Sequence, residues 1–369
     1  MKGDQMKKVV TFGEIMGRMN TKLFLRFRQA LPGELEVSFA GAEANVAASI
    51  ALLGGSAAFV SALPDHAIAD ACLGSLQNIG VDTTGVKRTK KGRLGLYFVE
   101  AGANQRPSNV IYDRDYSSIS LLSAGDYDWP AILSGASWFH TTGITPSLSK
   151  AASEATLAAV IAAKRAGLTV SCDLNFRKKL WNWESGTDAR TLAGRVMRAI
   201  LPYVDVLVAN EEDAHDVLGI ECGASDLDTG VLDIQRYPEV ARKIAAEFPN
   251  IKKIAITLRE SVSASHNNWG AMLYDVPSHA ASFAPMSGGE YRPYPIVNIV
   301  DRIGGGDSFA AALIYALLDS GLGASDADAA SFAAAASCLC HSIHGDFNFS
   351  TRQEVMALMG GKASGRINR

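Results

Sequence analysis

"DRIGGGDSFAAALIYALL", residues 301–318, joins three consecutive glycines and an aspartate to a long apolar run. Inside a regular element a glycine costs roughly 0.5–1 kcal/mol relative to alanine, so three at the mouth of a helix imply that bare backbone is needed there. The first amides of a helix lack internal acceptors, and the macrodipole adds positive potential at that end. With no Cβ in the way, Gly304, Gly305 and Gly306 let a phosphate approach those amides closely. Asp307 sits at the same helix start. Aspartate there suits a helix cap, and it equally suits a general base that takes a proton from a hydroxyl attacking a phosphoryl group. Both readings fit the position. The combination leans toward chemistry, because a carboxylate repels a merely bound anion. It serves a reaction in which the carboxylate meets a hydroxyl and the amides meet growing charge.

Outward from this stretch, strand-like and helix-like runs alternate. Strands are expected at 7–15, 57–63, 136–143, 168–177 and 252–258, with 204–213 reading as a strand entering a helix. Helices are expected at 42–55, 65–80, 147–167, 190–201, 238–248, 306–320 and 326–343. Such alternation predicts an α/β fold, a central mainly parallel sheet flanked by helices, with ligands beyond the carboxyl ends of the strands. The whole chain, 1–369, reads as a single catalytic domain. Three segments break the pattern. Residues 17–40 and 92–116 are strand-like without intervening helices and fit a small β-sheet projecting as a lid. Residues 258–295, rich in Ser, Asn, Gly and Pro, read as a long irregular excursion with one strand-like run at 270–276.

Composition narrows the function classes. The 369 residues carry 35 basic and 38 acidic side chains, a net charge of −3, which supplies no basic field for nucleic acid or an anionic membrane. The run Lys87 to Lys91 reads as a solvated turn. The five cysteines (Cys72, Cys172, Cys222, Cys338 and Cys340) are odd in number, irregularly spaced and without a C-x-x-C, so reduced thiols in the cytosol are expected. Cys338 and Cys340 diverge on a helix, and with His341 and His344 they lack zinc-ligand spacing. The N-terminus lacks a signal-like apolar run, and no stretch approaches the ~18 apolar residues of a membrane span. A cytoplasmic, soluble protein is expected.

The stretch resembles the D-T-x-G-A-G-D-x-F signature of the ribokinase-like sugar kinases, the phosphofructokinase B family. Asp301, Gly304, Gly306, Asp307 and Phe309 match, while Arg302 stands where Thr is usual and Gly305 where Ala is usual. "FAGAEANVAASIALLGG", 39–55, resembles the family's early substrate-binding segment, which assigns Gly41, Ala42 and Asn45 to the sugar. The resemblance covers nearly the whole chain and implies a ribokinase-like fold, Asp307 as catalytic base, and an anion hole made of Gly304, Gly305, Gly306 and the Asp307 amide. It implies ATP with Mg²⁺, with a monovalent cation such as K⁺ as a further candidate, and a homodimer paired through the lid. "NEED", 210–213, resembles the family's metal-linked N-x-x-E, placing Asn210 at the nucleotide and Asp213 indirectly at the metal; acidic residues also suit an ordinary first helical turn. "TLRESVSASHNNW" begins at Thr257, a nucleotide-side candidate, and departs from the family's T-L-G turn. No P-loop motif occurs, and no G-x-G-x-x-G follows the first strand, which disfavours a dinucleotide oxidoreductase.

Substrate charge separates the members of such a family. Arg177 follows a predicted strand and Arg114 lies on the expected lid, and the guanidinium fork suits a carboxylate or phosphate. Either could also make an ordinary surface pair. "FAGAEANVA", the Y-x-R of Tyr112 to Arg114, the D-x-N-x-R of Asp173 to Arg177 and "HGD" at 344–346 together resemble the 2-keto-3-deoxygluconate kinase subgroup. That resemblance implies ATP-dependent phosphorylation of 2-keto-3-deoxy-D-gluconate to its 6-phosphate. It gives Arg114 and Arg177 the sugar-acid carboxylate, makes Tyr97 and Tyr112 lid tyrosines, and places Asp346 near the substrate. A fructokinase or ribokinase type, or a sugar-acid sensor without turnover, are the alternatives.

Overall fold

Alternation along each strand decides which side of the sheet a residue supports. In the first strand, Lys8–Phe12, Val10 and Phe12 enter one core with Phe139, Val170, Leu207 and Ile254. Val9 enters a second core with Phe59, Trp138, Val206 and Ala255. The sheet is therefore apolar on both faces, as a parallel sheet covered by helices requires. The computed structural model describes residues 7–220 and 234–362. The strands run in the order Ala57–Val60, Lys8–Phe12, Ala136–Thr142, Thr169–Asp173, Val206–Ala209, Lys253–Ser263, His266–Asp275 and Ala280–Ala284. The first six are mutually parallel, and each of the last two pairs antiparallel with the strand before it, giving the mainly parallel sheet expected from the sequence.

The glycine stretch becomes the helix Gly305–Leu318, buried at ten of its fourteen positions. A helix apolar on nearly every side must lie inside the protein, and this one packs between Ala42–Leu52 and Asp326–Cys340. All three are rich in alanine, whose small side chain lets backbones approach. The two segments that broke the alternation form a separate four-stranded sheet in the order Glu36–Ala40, Met16–Asn20, Leu96–Glu100 and Asn109–Asp113. One helical turn, Phe27–Ala30, interrupts the first segment.

The irregular excursion expected at 258–295 is a correction. Lys253–Ser263 and His266–Asp275 form a long antiparallel hairpin, and Ala280–Ala284, Met286–Ser287, Glu290–Tyr291 and Tyr294–Ile296 add further strands. The polar residues that read as a loop stand on antiparallel strands with a wet side, where Ser and Asn are tolerated. The helix Arg352–Met359 was not expected, although Thr351 and Glu354 form a capping box that announces it. Cys72, Cys172, Cys338 and Cys340 are free thiols; Cys222 and the end of the C-terminal tail lie outside the described residues. Among the described residues, no helix is long and apolar enough to cross a membrane.

Candidate active site

One pocket of about 450 Å³ opens at the carboxyl ends of the parallel strands, and every residue the sequence singled out for the site lines it. The small sheet stands over one side. Its cross-strand pair Tyr97 and Tyr112 places two rings 6.1 Å apart. Tyr97 is buried, and Tyr112 is 42% exposed toward the pocket.

The pocket floor is built by two helix starts. Gly304 caps the glycine helix in a left-handed conformation, φ +88°, and a Cβ there would lie 2.4 Å from the Asp346 carbonyl oxygen. Both facts require glycine. Gly306 differs, because no atom lies within 4 Å of a Cβ built on it. The fold makes no steric demand for glycine at that position, so the open space belongs to whatever approaches the backbone. No side chain caps this helix, so its first amides are available to a ligand. Asp307 is the third residue of the helix, not its cap.

The second helix start begins at Gly41, where a Cβ would lie 1.9 Å from the Glu14 carbonyl oxygen. Ala42 is the first, buried residue of that helix. Asn45 accepts from the Gly41 amide at 3.2 Å and donates through Nδ2 to Asp307 Oδ2 at 2.7 Å. The carboxylate is thus held by an oriented amide. Burial pushes the Asp307 carboxyl up to about 7, with the Asn45 hydrogen bond pulling against it and Asp346 adding to the rise. A carboxyl poised there can exchange a proton near neutral pH. Beneath the helix start, Glu43 is fully buried and accepts from Thr142 Oγ1 at 2.8 Å and Thr145 Oγ1 at 2.7 Å, tying this helix to the sheet.

Three carboxyl groups share the next wall. Burial, then Asp213 and Asp307, raise Asp173 well above the ordinary range. Burial brings Asp213 up to about 6, against the opposing Arg177 charge. Asp213 Oδ1 accepts from the Phe176 amide at 3.0 Å, and Asn210 caps the helix Glu211–Leu218 by accepting from the Asp213 amide at 2.8 Å. "NEED" is therefore a capped helix start as well as a pocket wall. Among the described residues no group of three His, Cys, Asp or Glu side chains could hold a metal by itself. Thr257 lines the far side.

The two expected arginines differ. Arg114 is buried, forms an ion pair with Glu14, and lies 5.5 Å from the centre of the Tyr112 ring. Arg177 is exposed in the pocket and donates from Nη1 to its neighbour's carbonyl, Phe176 O, at 3.2 Å. Among the described residues it forms no ion pair, although its charge acts on Asp173, Asp213 and Asp307.

Arg18 was missing from the sequence reading. It is buried in the small sheet and forms ion pairs with Asp301 and Asp346 at once. Tyr97 donates to the other Asp346 oxygen at 2.8 Å. Asp301 in turn accepts from the amides of Ile303 and Gly345, each at 3.2 Å. One guanidinium therefore ties the small sheet to both segments flanking the glycines. The only signal in the sequence was a charge set among apolar residues in "IMGRMN", 15–20.

Comparison with known proteins agrees with this geometry. Residues 6–351 match the pfkB family carbohydrate kinase pattern. A 2-dehydro-3-deoxygalactonokinase of Haloferax volcanii is 32% identical, over 97% of this chain and 98% of that protein. The crystal structure of a 2-dehydro-3-deoxygluconokinase from Thermotoga maritima superposes with a TM-score of 0.86 at 43% identity, covering 96% of this chain and 98% of that one. A 2-keto-3-deoxygluconate kinase assigned in Enterococcus faecalis gives a TM-score of 0.82 at 26% identity, covering 98% and 99%.

Proposed function

The chain belongs to the pfkB family of carbohydrate kinases, and we propose that it transfers a phosphoryl group from ATP to 2-keto-3-deoxy-D-gluconate, forming the 6-phosphate. The observation that carries the sugar-acid reading is Arg177, a guanidinium exposed in the same pocket as Asp307 that forms no ion pair among the described residues, although its charge reaches Asp173, Asp213 and Asp307. An unpaired planar fork suits a substrate carboxylate. The similarity to the Thermotoga maritima and Haloferax volcanii kinases supports the same class and leaves two C4 epimers to compare.

In this reading Asp307 accepts the proton of the 6-hydroxyl, and Asn45 holds the accepting carboxylate in place. The hydroxyl oxygen bonds to the terminal phosphorus of ATP as the bond to the bridging oxygen breaks and ADP leaves. The amides of Gly305, Gly306 and Asp307 donate to the charge on the transferring group. Tyr97, Tyr112 and Arg114 shape the sugar side under the small sheet, which acts as a lid, with Asp346 held beneath it. Bound Mg²⁺ supplies neutralisation of the phosphate charge, and Asn210, Asp213 and Thr257 are the residues facing it or the nucleotide.

The proposal includes a homodimer paired through the lid, supported by Val37 and Ile111 standing 60% and 49% exposed on its strands. It also places the protein in the cytoplasm, in keeping with its free thiols. The test is product identification. Purified protein is incubated with ATP, Mg²⁺ and each 2-keto-3-deoxy epimer, with and without K⁺, and the product is read by phosphorus NMR. A phosphomonoester coupled to two methylene protons is expected. ATP hydrolysis without a sugar phosphate rejects the reading.

A further inference from the structure

Two arginines stand beside the glycine helix where the family resemblance leads one to expect small residues. Arg302 replaces the threonine before the glycines, and Arg259 replaces the glycine of the T-L-G turn. The hairpin brings them together. In its register Thr257 opposes Ala271, Arg259 opposes Trp269 and Ser261 opposes Asn267. Directly opposed residues of an antiparallel pair point to one face, and alternate residues share it. Arg259, Trp269 and Asn267 therefore face the pocket together. Arg302 reaches the same place from the other side, donating through Nη2 to Ser263 O at 3.1 Å and to Asn267 Oδ1 at 3.3 Å.

His341 closes the group. Its ring lies 5.1 Å from that of Trp269, and a Cβ on Gly305 would come within 2.9 Å of it. The cluster thus abuts the amide end of the glycine helix. Burial lowers His341, leaving the arginines as the cluster's fixed charges.

The buried arginines nearby are neutralised: Arg18, beneath the pocket wall, by Asp301 and Asp346, and Arg114 by Glu14. Arg302 and Arg259 have no carboxylate partner among the described residues, and the Nε of Arg302 is buried without any partner. Burial, and then the neighbouring Arg259 charge, lower Arg302. Arg259 is exposed and Arg302 half-buried, so two neighbouring guanidinium groups with no carboxylate between them present a positive wall that an incoming anion can reach.

We propose that Arg259 and Arg302 form a clamp for the phosphate chain of the phosphoryl donor. The proposal rests on the kinase reading above and adds two donor-binding residues to it. Its chemistry is bidentate guanidinium recognition of phosphate oxygens. The clamp also makes phosphate, more than base, the source of donor affinity.

The test is equilibrium binding, read by titration calorimetry with ADP, inorganic tripolyphosphate and adenosine as separate probes. The variants are Arg259→Met and Arg302→Thr, and thermal melts establish that each folds. Among the described residues the Arg259 side chain makes no hydrogen bond, so Arg259→Met removes charge with the least disturbance of the hairpin. Each variant is expected to bind ADP and tripolyphosphate at least ~10-fold more weakly, a loss of one charge-assisted contact. Adenosine and sugar-acid affinities should stay within about twofold. Unchanged ADP and tripolyphosphate binding in folded Arg259→Met and Arg302→Thr, with tight binding by the parent, overturns the clamp and leaves the kinase reading standing. Equal weakening of adenosine also overturns it, since it marks a role in hairpin shape. A parent protein that binds neither ADP nor tripolyphosphate overturns the kinase reading and the clamp together.

Discussion

Asn45 Nδ2 donates to Asp307 Oδ2 at 2.7 Å, joining helix starts separated by 262 positions in the sequence. Because Asn45 Oδ1 accepts from the Gly41 amide, the Nδ2 donor is oriented by its own helix start. Removing it by Asn45→Ala takes away a hydrogen bond that favours the charged form, so the Asp307 carboxyl should rise above about 7. The pH profile of kcat/KM, expected to climb through about 7 in the parent, should move to higher pH in the variant. An unmoved inflection shows that another group controls the profile.

Asp307→Asn separates chemistry from folding. Turnover should fall by at least the ~10²-fold typical of general-base loss. Stability should move the other way. The folded-state carboxyl at about 7 lies above the unfolded value, near 3.9, so the native state binds the proton more tightly. The group's contribution is fully present below the unfolded value and is lost as pH rises through about 7. At pH ~8 the neutral amide escapes that penalty, and the variant should melt no lower than the parent. A clear drop in melting temperature with activity retained would identify Asp307 as a structural residue.

Gly306→Ala tests the open backbone. Nothing in the fold meets the added methyl, and alanine favours helix by roughly 0.5–1 kcal/mol over glycine. Melting temperature should hold or rise while activity falls. Full activity in this variant means that no ligand uses that approach.

Arg18→Met leaves Asp301 and Asp346 buried without their shared cation. Breaking a buried ion pair from one side costs about 3–5 kcal/mol, so a large fall in the denaturant midpoint is expected, with partial recovery in Arg18→Lys. A midpoint close to the parent's indicates that solvent reaches the pair.

Much of the site could be read along the chain because its chemistry is local. The glycines and Asp307 fall within four residues, and Gly41 and Asn45 within one turn. Arg18 could not be read, because its partners lie 283 and 328 positions away and its burial is a product of packing alone. Arg114 shows the same limit: its type and place were legible, its pairing with Glu14 was not. Within 258–295 the sequence shows the strand at 270–276 but not the others, because polar residues on the wet side of antiparallel strands look like those of a loop. The segments that broke the strand–helix alternation pointed to the small sheet, and the Thr351–Glu354 capping box marks the last helix in the sequence.

The central claim is that Arg177 makes this a kinase of a sugar acid, and ADP release measured side by side on 2-keto-3-deoxy-D-gluconate and D-fructose tests it most directly. The parent enzyme should prefer the acid. Arg177→Ala should lose about 30-fold or more in kcat/KM on the acid, since stranding a substrate charge costs roughly 2–5 kcal/mol, with little change on fructose. Preference for fructose in the parent, or equal losses on both sugars in the variant, contradicts the assignment.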